Sequence, residues 1–423
     1  MLINLLVILI TIFGIIDILF RNNGIENSIK WIIVAFIFGY RTVTIFYIIG
    51  IHPIEIFVYS AIIRISISKI GRKFSMPIGI RILSIIFILY FLINLFTRYN
   101  NNVLYEFKSA FILIAIFFVF QFINLNKEYL FSLFRFYLAS ASIIASFGIL
   151  EFLFPLEMSN VFGFENYLIA DLQEHFGRVK FLFWGSHIAA NLTAPSFPIM
   201  LLLKERKDSF IKNNYFLTAL FIINLYGIYI SGNRISWLII TVMFLITIFK
   251  YHAILIPYLK SYALILISLF IAYVYSQPVK GRYISTFKAI TGQIDSRYDS
   301  SGNARLGRAK TAYKSITENP IGTGWGSQGW VHSDVLQVAS SLGVIPGLIF
   351  FISPIFLISR LYRFYKFVRI EDKTIFFSCF LIMLYVLISQ IFNGNYVLIQ
   401  CGAPLAIFWA SIQSYINQYN YGK

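Results

Sequence analysis

Apolar residues in this chain neither alternate nor recur on one helical face. They run in blocks of about 14 to 25 residues separated by polar connections, most of them short. Blocks that are apolar on every side read as helices surrounded by other apolar matter, a membrane above all. They lie at 2–20, 31–50, 53–70, 82–96, 110–123 and 136–154, then at 188–203, 215–230, 235–249, 261–275, 335–359, 375–392 and 397–416. The pattern predicts an all-α fold, a polytopic transmembrane helical bundle of 12 or 13 spans forming one integral membrane domain over residues 1–423. The choice between the two counts turns on the segment 31–70, which holds Arg41 and the His52-Pro53 break. Block 2–20 has no basic n-region and no small-residue cleavage site, so it reads as a first span and not as a signal peptide.

Composition narrows the class further. The chain is 58% hydrophobic and 18% aromatic but only 13% charged, against roughly 25% charged in a soluble domain. So few charges cannot cover a water-facing surface, and a length that holds roughly a dozen spans excludes a soluble domain carried on one anchor. Both cysteines, Cys379 and Cys401, lie in apolar runs, leaving no disulfide framework and no cysteine metal site to expect. The net charge of +17 would point to nucleic acid in a soluble protein, but in a membrane protein it first reports topology, and no nucleic-acid partner is expected. Basic residues cluster in alternate connections: Arg64 to Arg81, Lys127 and Arg135, Lys204 to Lys212, Lys250 and Lys260, and Arg360 to Lys373. The positive-inside rule places these in the cytoplasm. The outer connections are then those near 50 and at 97–109, 155–187, 231–234, 276–334 and 393–396.

The 276–334 connection breaks the charge rule, carrying Lys280, Arg282, Lys288, Arg297, Arg305, Arg308, Lys310 and Lys314 on the outer side. Either a polyanionic ligand or anionic headgroups would account for the excess. Within it, 304–317 reads as an amphipathic helix capped by Asn303 and stopped by Asn319-Pro320. Arg305 and Arg308 then share a face, spaced so that two guanidinium groups can address one diphosphate. The run Gly322-Thr323-Gly324-Trp325-Gly326 allows close backbone approach to a ligand or makes a plain tight turn. His332 follows at the mouth of a span, either a general base with Asp334 orienting it or an interfacial cap. Arg234, in a very short outer connection, is a second rigidly held cation or a snorkelling anchor. Arg178 is a third candidate, with Glu174 as an ordinary partner, and Arg41 falls within a span, where a charge is costly.

Four stretches converge in order and spacing. They are Ser231-Gly232-Asn233-Arg234-Ile235-Ser236-Trp237, Arg305-Leu306-Gly307-Arg308 with Ala312-Tyr313, Asn319-Pro320-Ile321-Gly322-Thr323-Gly324-Trp325-Gly326, and His332-Ser333-Asp334-Val335-Leu336-Gln337 with Gly343-Val344-Ile345-Pro346-Gly347. Over residues 228–350 the chain resembles the O-antigen polymerase and O-antigen ligase superfamily of membrane glycosyltransferases; upstream only helix number and Arg178-Val179-Lys180-Phe181 offer loose support. The resemblance implies a GT-C-like bundle in the bacterial inner membrane, with a large periplasmic loop at 276–334 and the active site facing the periplasm. It implies an undecaprenyl-diphosphate-linked oligosaccharide as donor, no metal or other cofactor, and a chain-length regulator as a further partner besides the lipid bilayer. Arg234 falls on the family's arginine in the short outer loop, Arg305 on the one that begins the amphipathic helix, and His332 on its histidine. Ser333 stands where asparagine is common, and Ala309 where tryptophan often is.

Arginines fixed around a leaving diphosphate stabilise the charge that develops there, and a histidine base is typically worth about 10² to 10⁴ in rate. No pair of outer carboxylates suggests glycosidase chemistry, and no HExxH motif suggests zinc. A polymerase would pass the glycan to the non-reducing-end hydroxyl of a lipid-linked repeat unit, and a ligase would pass it to lipid A core. The Ile/Phe/Asn-rich chain resembles products of AT-rich polysaccharide clusters, which favours the polymerase. A flippase would instead line a path near mid-membrane with ionisable residues.

Overall fold

The computed structural model describes residues 2–38, 43–45, 49–68, 101–162, 186–206, 213–255, 300–324, 331–392 and 399–421, with isolated positions between them. Two compact units emerge, one of residues 1–137 with 305–423 and the other of residues 138–304. Nearly every described element is a helix. Among the described residues four, Lys127–Leu153, Asn214–Ser231, Val344–Phe367 and Ile370–Phe392, are long and apolar enough to cross a membrane. Shorter apolar helices cover Leu5–Phe20, Phe111–Phe120 and Ile235–Thr247.

The first unit opens with α1 (Leu2–Phe20) and α2 (Gly24–Ala35), followed by a single 3₁₀ turn at Phe36–Phe38. The expected span at 31–50 is not one helix. Its second half, rich in β-branched residues, makes an antiparallel pair of three-residue strands, β1 (Val43–Ile45) and β2 (Ile49–Ile51), with Thr44 opposite Gly50. Helix α3 (Pro53–Ile67) then starts on a capping box: His52 Nδ1 accepts from the Ile54 N–H at 3.2 Å, and the Glu55 carboxylate accepts from the His52 N–H at 3.3 Å. Glu55 is buried, and its charge is met by Lys108 of α4 (Asn101–Phe120) at 2.8 Å. Of the run at 82–96 only isolated positions are described, and the run at 261–275 lies outside the described residues.

Helix α5 (Lys127–Leu153) passes from the first unit into the second. The second unit continues with α6 (Pro155–Phe162), α7 (Ser186–Thr193), α8 (Ser196–Glu205), α9 (Asn214–Ser231) and α10 (Arg234–Leu255). The expected span 188–203 is thus two short helices, broken at Ala194-Pro195, where proline has no N–H for a helical bond. The first unit resumes along α11 (Ser300–Glu318), then α12 (Asp334–Leu342), α13 (Val344–Phe367), α14 (Lys373–Phe392) and α15 (Ile399–Tyr421).

Helix α15 is the core of the first unit. Its small residues Ala403, Ala406 and Ala410 are buried and let neighbouring helices approach, while Phe408 packs on Tyr137 at 4.4 Å and Trp409 meets Phe117 of α4 edge-on at 5.6 Å. Polar contacts at the two ends of this unit sort the connections. One end joins Lys127 to Asp372 at 2.6 Å, the Tyr129 hydroxyl to the Glu26 carbonyl at 2.5 Å, Arg64 to the Arg21 carbonyl at 3.4 Å and Arg360 to Asn417 at 3.2 Å. The other end holds the Glu55–Lys108 pair. Lys127–Asp372 and Glu55–Lys108 each join two connections that the charge pattern assigns to one face, and the contacts of Tyr129 and Arg64 put the 21–30 turn with the basic set. Helices α2 and α3 are thus separate elements, divided by the strand pair and the His52 cap.

Candidate functional site

Helix α11 begins at Ser300, one turn ahead of the expected Asn303 cap, and ends at Glu318 as Asn319-Pro320 requires. Positions 305, 309, 312 and 316 make the stripe that turns inward, with Ala312 fully buried and Leu306 and Tyr313 exposed opposite. Arg305 is therefore half-buried at the head of this stripe, and Arg308 stands exposed beside it.

The chain then lies back on the joint between α12 and α13. Thr323 donates its N–H to the Ser340 carbonyl at 2.9 Å and its hydroxyl to the same oxygen at 3.0 Å. The Gly324 N–H reaches Ser341 O at 3.0 Å, and the Val344 N–H reaches Pro320 O at 2.9 Å. Both Gly322 (φ 95°) and Gly343 (φ 105°) occupy left-handed backbone, and a Cβ on Gly322 would stand 2.5 Å from Ser341 O. These two glycines are thus accounted for by contact with the chain's own backbone. The same brace corrects the sequence reading of 335–359 as one span. Carbonyls and amides freed at Gly343 are taken up by residues 320–324, so the helix breaks there and restarts with Pro346 in its first turn.

Residues 325–330 lie outside the described set. Beyond them the buried Val331 donates its N–H to Gln337 Oε1 at 2.7 Å, and Ser333 caps α12 by accepting from the Leu336 N–H at 3.4 Å. His332 is held between these two anchors and is half-buried. Burial first, then the charge of Arg305 and then that of Arg308, lower its pKa from 6.5 to about 4. The imidazole is consequently neutral at pH 7 and open to accept a proton. Asp334 is the first residue of α12 and only 1% exposed, in the helix turn where a carboxylate is favoured by the macrodipole. The first unit therefore brings His332, Arg305 and Arg308 into one electrostatic neighbourhood, with Asp334 on the adjacent turn.

Gln337 is the residue whose part the sequence did not disclose. Five positions after His332, one turn into α12, its carboxamide clamps the backbone just ahead of the histidine. That spacing was the available signal, but a glutamine one turn into a helix has many other uses.

The second unit carries the remaining arginines. Gly232 (φ 62°) closes α9 in left-handed backbone, and Asn233 Oδ1 caps α10 by accepting from the Ile235 and Ser236 N–H groups at 3.1 and 3.3 Å. Arg234 is the first residue of α10, fixed by that cap at the point where two helices reverse. The Val179 N–H donates to the Ile230 carbonyl at 3.4 Å, beside the same hairpin; Arg178 lies outside the described residues. Among the described residues no three His, Cys, Asp or Glu side chains gather as a metal site would require. The sequence matches no family model, and no curated protein matches it.

Proposed function

We propose that this protein is a polymerase of surface polysaccharide, a membrane glycosyltransferase that moves a glycan from undecaprenyl diphosphate to the non-reducing-end hydroxyl of a lipid-linked repeat unit. The observation that carries the reading is the neighbourhood of His332, Arg305 and Arg308. A neutral imidazole beside two guanidinium groups suits one step: His332 accepts the acceptor hydroxyl's proton, and the oxygen attacks the anomeric carbon. The bond from that carbon to the diphosphate oxygen breaks, and the lipid diphosphate leaves with its electron pair, inverting the centre. The arginines play a double part. Empty, they hold His332 deprotonated; matched by a diphosphate, they no longer depress its basicity, so proton acceptance strengthens when the donor is bound.

The reading includes a GT-C-like bundle in the bacterial inner membrane with this neighbourhood facing the periplasm. It is supported by the sorting of polar contacts to two ends of the first unit, with Glu55–Lys108 in the outer set and Lys127–Asp372 in the inner. Arg234 and Arg178 enter from the resemblance alone, as further diphosphate ligands to be tested by substitution. The deciding experiment incubates purified protein with a synthetic undecaprenyl-diphosphate repeat unit, alone and with lipid A core. A ladder of products without core is expected. Transfer only with core would make the protein a ligase, and no transfer in either arm would refute the reading.

A further inference from the structure

At the end of the first unit where the basic connections gather, a cavity of about 300 Å³ is lined by Asp17, Arg21, Asn27, Lys30, Trp31, Val34 and Phe136. Its acid is fully engaged. Asp17 Oδ2 accepts from Asn27 Nδ2 and Trp31 Nε1, both at 2.9 Å, and Oδ1 meets Arg21 at 3.0 Å, so the carboxylate serves to aim the guanidinium and the indole at the rim. Lys30 has no such partner among the described residues. Its Nζ rests 5.6 Å from the Tyr129 ring centre and 5.5 Å from that of Phe136. Asp17 against Arg21 and Lys30 leaves the lining with one uncompensated positive charge, and Arg64 adds another close by through its bond to the Arg21 carbonyl.

The apolar side of the cavity continues into an exposed hydrocarbon surface. Trp31 packs edge-on against Phe13 at 5.7 Å, and Phe13 belongs to a face of α1 on which Leu9, Ile12, Ile16 and Phe20 are all exposed. A cationic recess at the head of a bare apolar helix face has the two halves of a phospholipid site: a place for a phosphate ester and a track for acyl chains. We propose that this cleft binds the phosphate headgroup of an anionic phospholipid, with Lys30 as its principal cation, Arg21 at the rim, and the acyl chains along α1. The inference is independent of the glycosyltransferase reading, since it uses neither His332 nor the α11 arginines.

Native mass spectrometry of the delipidated full-length protein, titrated with phosphatidylglycerol or phosphatidylcholine, tests it. Wild type should prefer phosphatidylglycerol. Lys30→Gln should weaken phosphatidylglycerol binding about five-fold, the loss of one basic group's attraction to an anionic lipid, and leave phosphatidylcholine unchanged. Lys30→Arg should keep the preference, and so should Lys366→Gln, which removes another lysine seated on a tyrosine ring. If Lys30→Gln does not fold, Arg21→Gln at a 72% exposed position substitutes for it, with a weaker preference expected. Equal binding of the two lipids by wild type, or a preference untouched by the Lys30 and Arg21 variants, would overturn the proposal. Full competition by millimolar glycerol phosphate would assign the cleft to a soluble phosphate ester and overturn the lipid assignment.

Discussion

The titration of His332 gives the sharpest reading of the site because it needs no substrate. Burial, Arg305 and Arg308 act in that order to bring the imidazole from 6.5 to about 4. Each disfavours the charged form, so the folded protein holds His332 neutral through a pH range where a free histidine is mostly protonated. At pH 5.5 a group of pKa 4 is about 97% neutral and one of pKa 6.5 about 9% neutral, roughly a ten-fold difference in available base. Histidine-selective NMR of the labelled protein, with His332→Gln to assign the signal, follows this directly. The wild-type resonance should titrate near 4, and Arg305→Gln should raise it more than Arg308→Gln. The double variant should still fall short of 6.5, because burial is the largest cause and remains. A wild-type midpoint at 6.5, or one that neither arginine variant moves, would refute the proximity on which the proposed chemistry rests.

Four further outcomes follow from the same geometry. Gly322→Ala should destabilise the protein by about 1–3 kcal/mol in a detergent melt, through forbidden φ and the 2.5 Å approach to Ser341 O. Gly307→Ala, with nothing within 4 Å of its would-be Cβ on an exposed helix, should instead stabilise by about 0.5–1 kcal/mol; the same sign for both would refute the brace. Arg305→Lys should lower turnover despite keeping its charge, since a point ammonium cannot reproduce a planar two-point grip on diphosphate; undiminished kcat/KM would reduce the arginine to a source of field. For topology, Thr317→Cys in a Cys379→Ala, Cys401→Ala background should react with an impermeant thiol reagent from the periplasm and Phe367→Cys should not; the reverse pattern would invert the protein in the membrane.

Helices whose ends are marked by polar residues were legible almost to the residue. The run 215–230 became α9 at Asn214–Ser231, and 375–392 became α14 at Lys373–Phe392. Hydropathy counts how apolar a stretch is but not whether its axis bends, so 335–359 looked continuous. The bonds that pull it apart, Val344 to Pro320 and Thr323 to Ser340, join residues 17 or more positions apart and leave no local mark beyond Gly343 and Pro346. The site divided in the same way. The i, i+3 spacing of Arg305 and Arg308 follows from helix geometry alone, and their approach to His332 depends on how the chain folds back after Pro320. In the sequence the glycine run also reads as a ligand cradle. Its Gly322 answers to the carbonyl of Ser341, a contact visible only after folding.

The role of His332 is tested by the turnover of His332→Ala on a synthetic undecaprenyl-diphosphate repeat unit, measured beside its affinity for the same donor. Transfer should fall by about 10² or more while donor affinity stays within a few-fold of wild type, because the imidazole takes the acceptor proton and the arginines hold the diphosphate. Wild-type turnover in that variant would contradict that role.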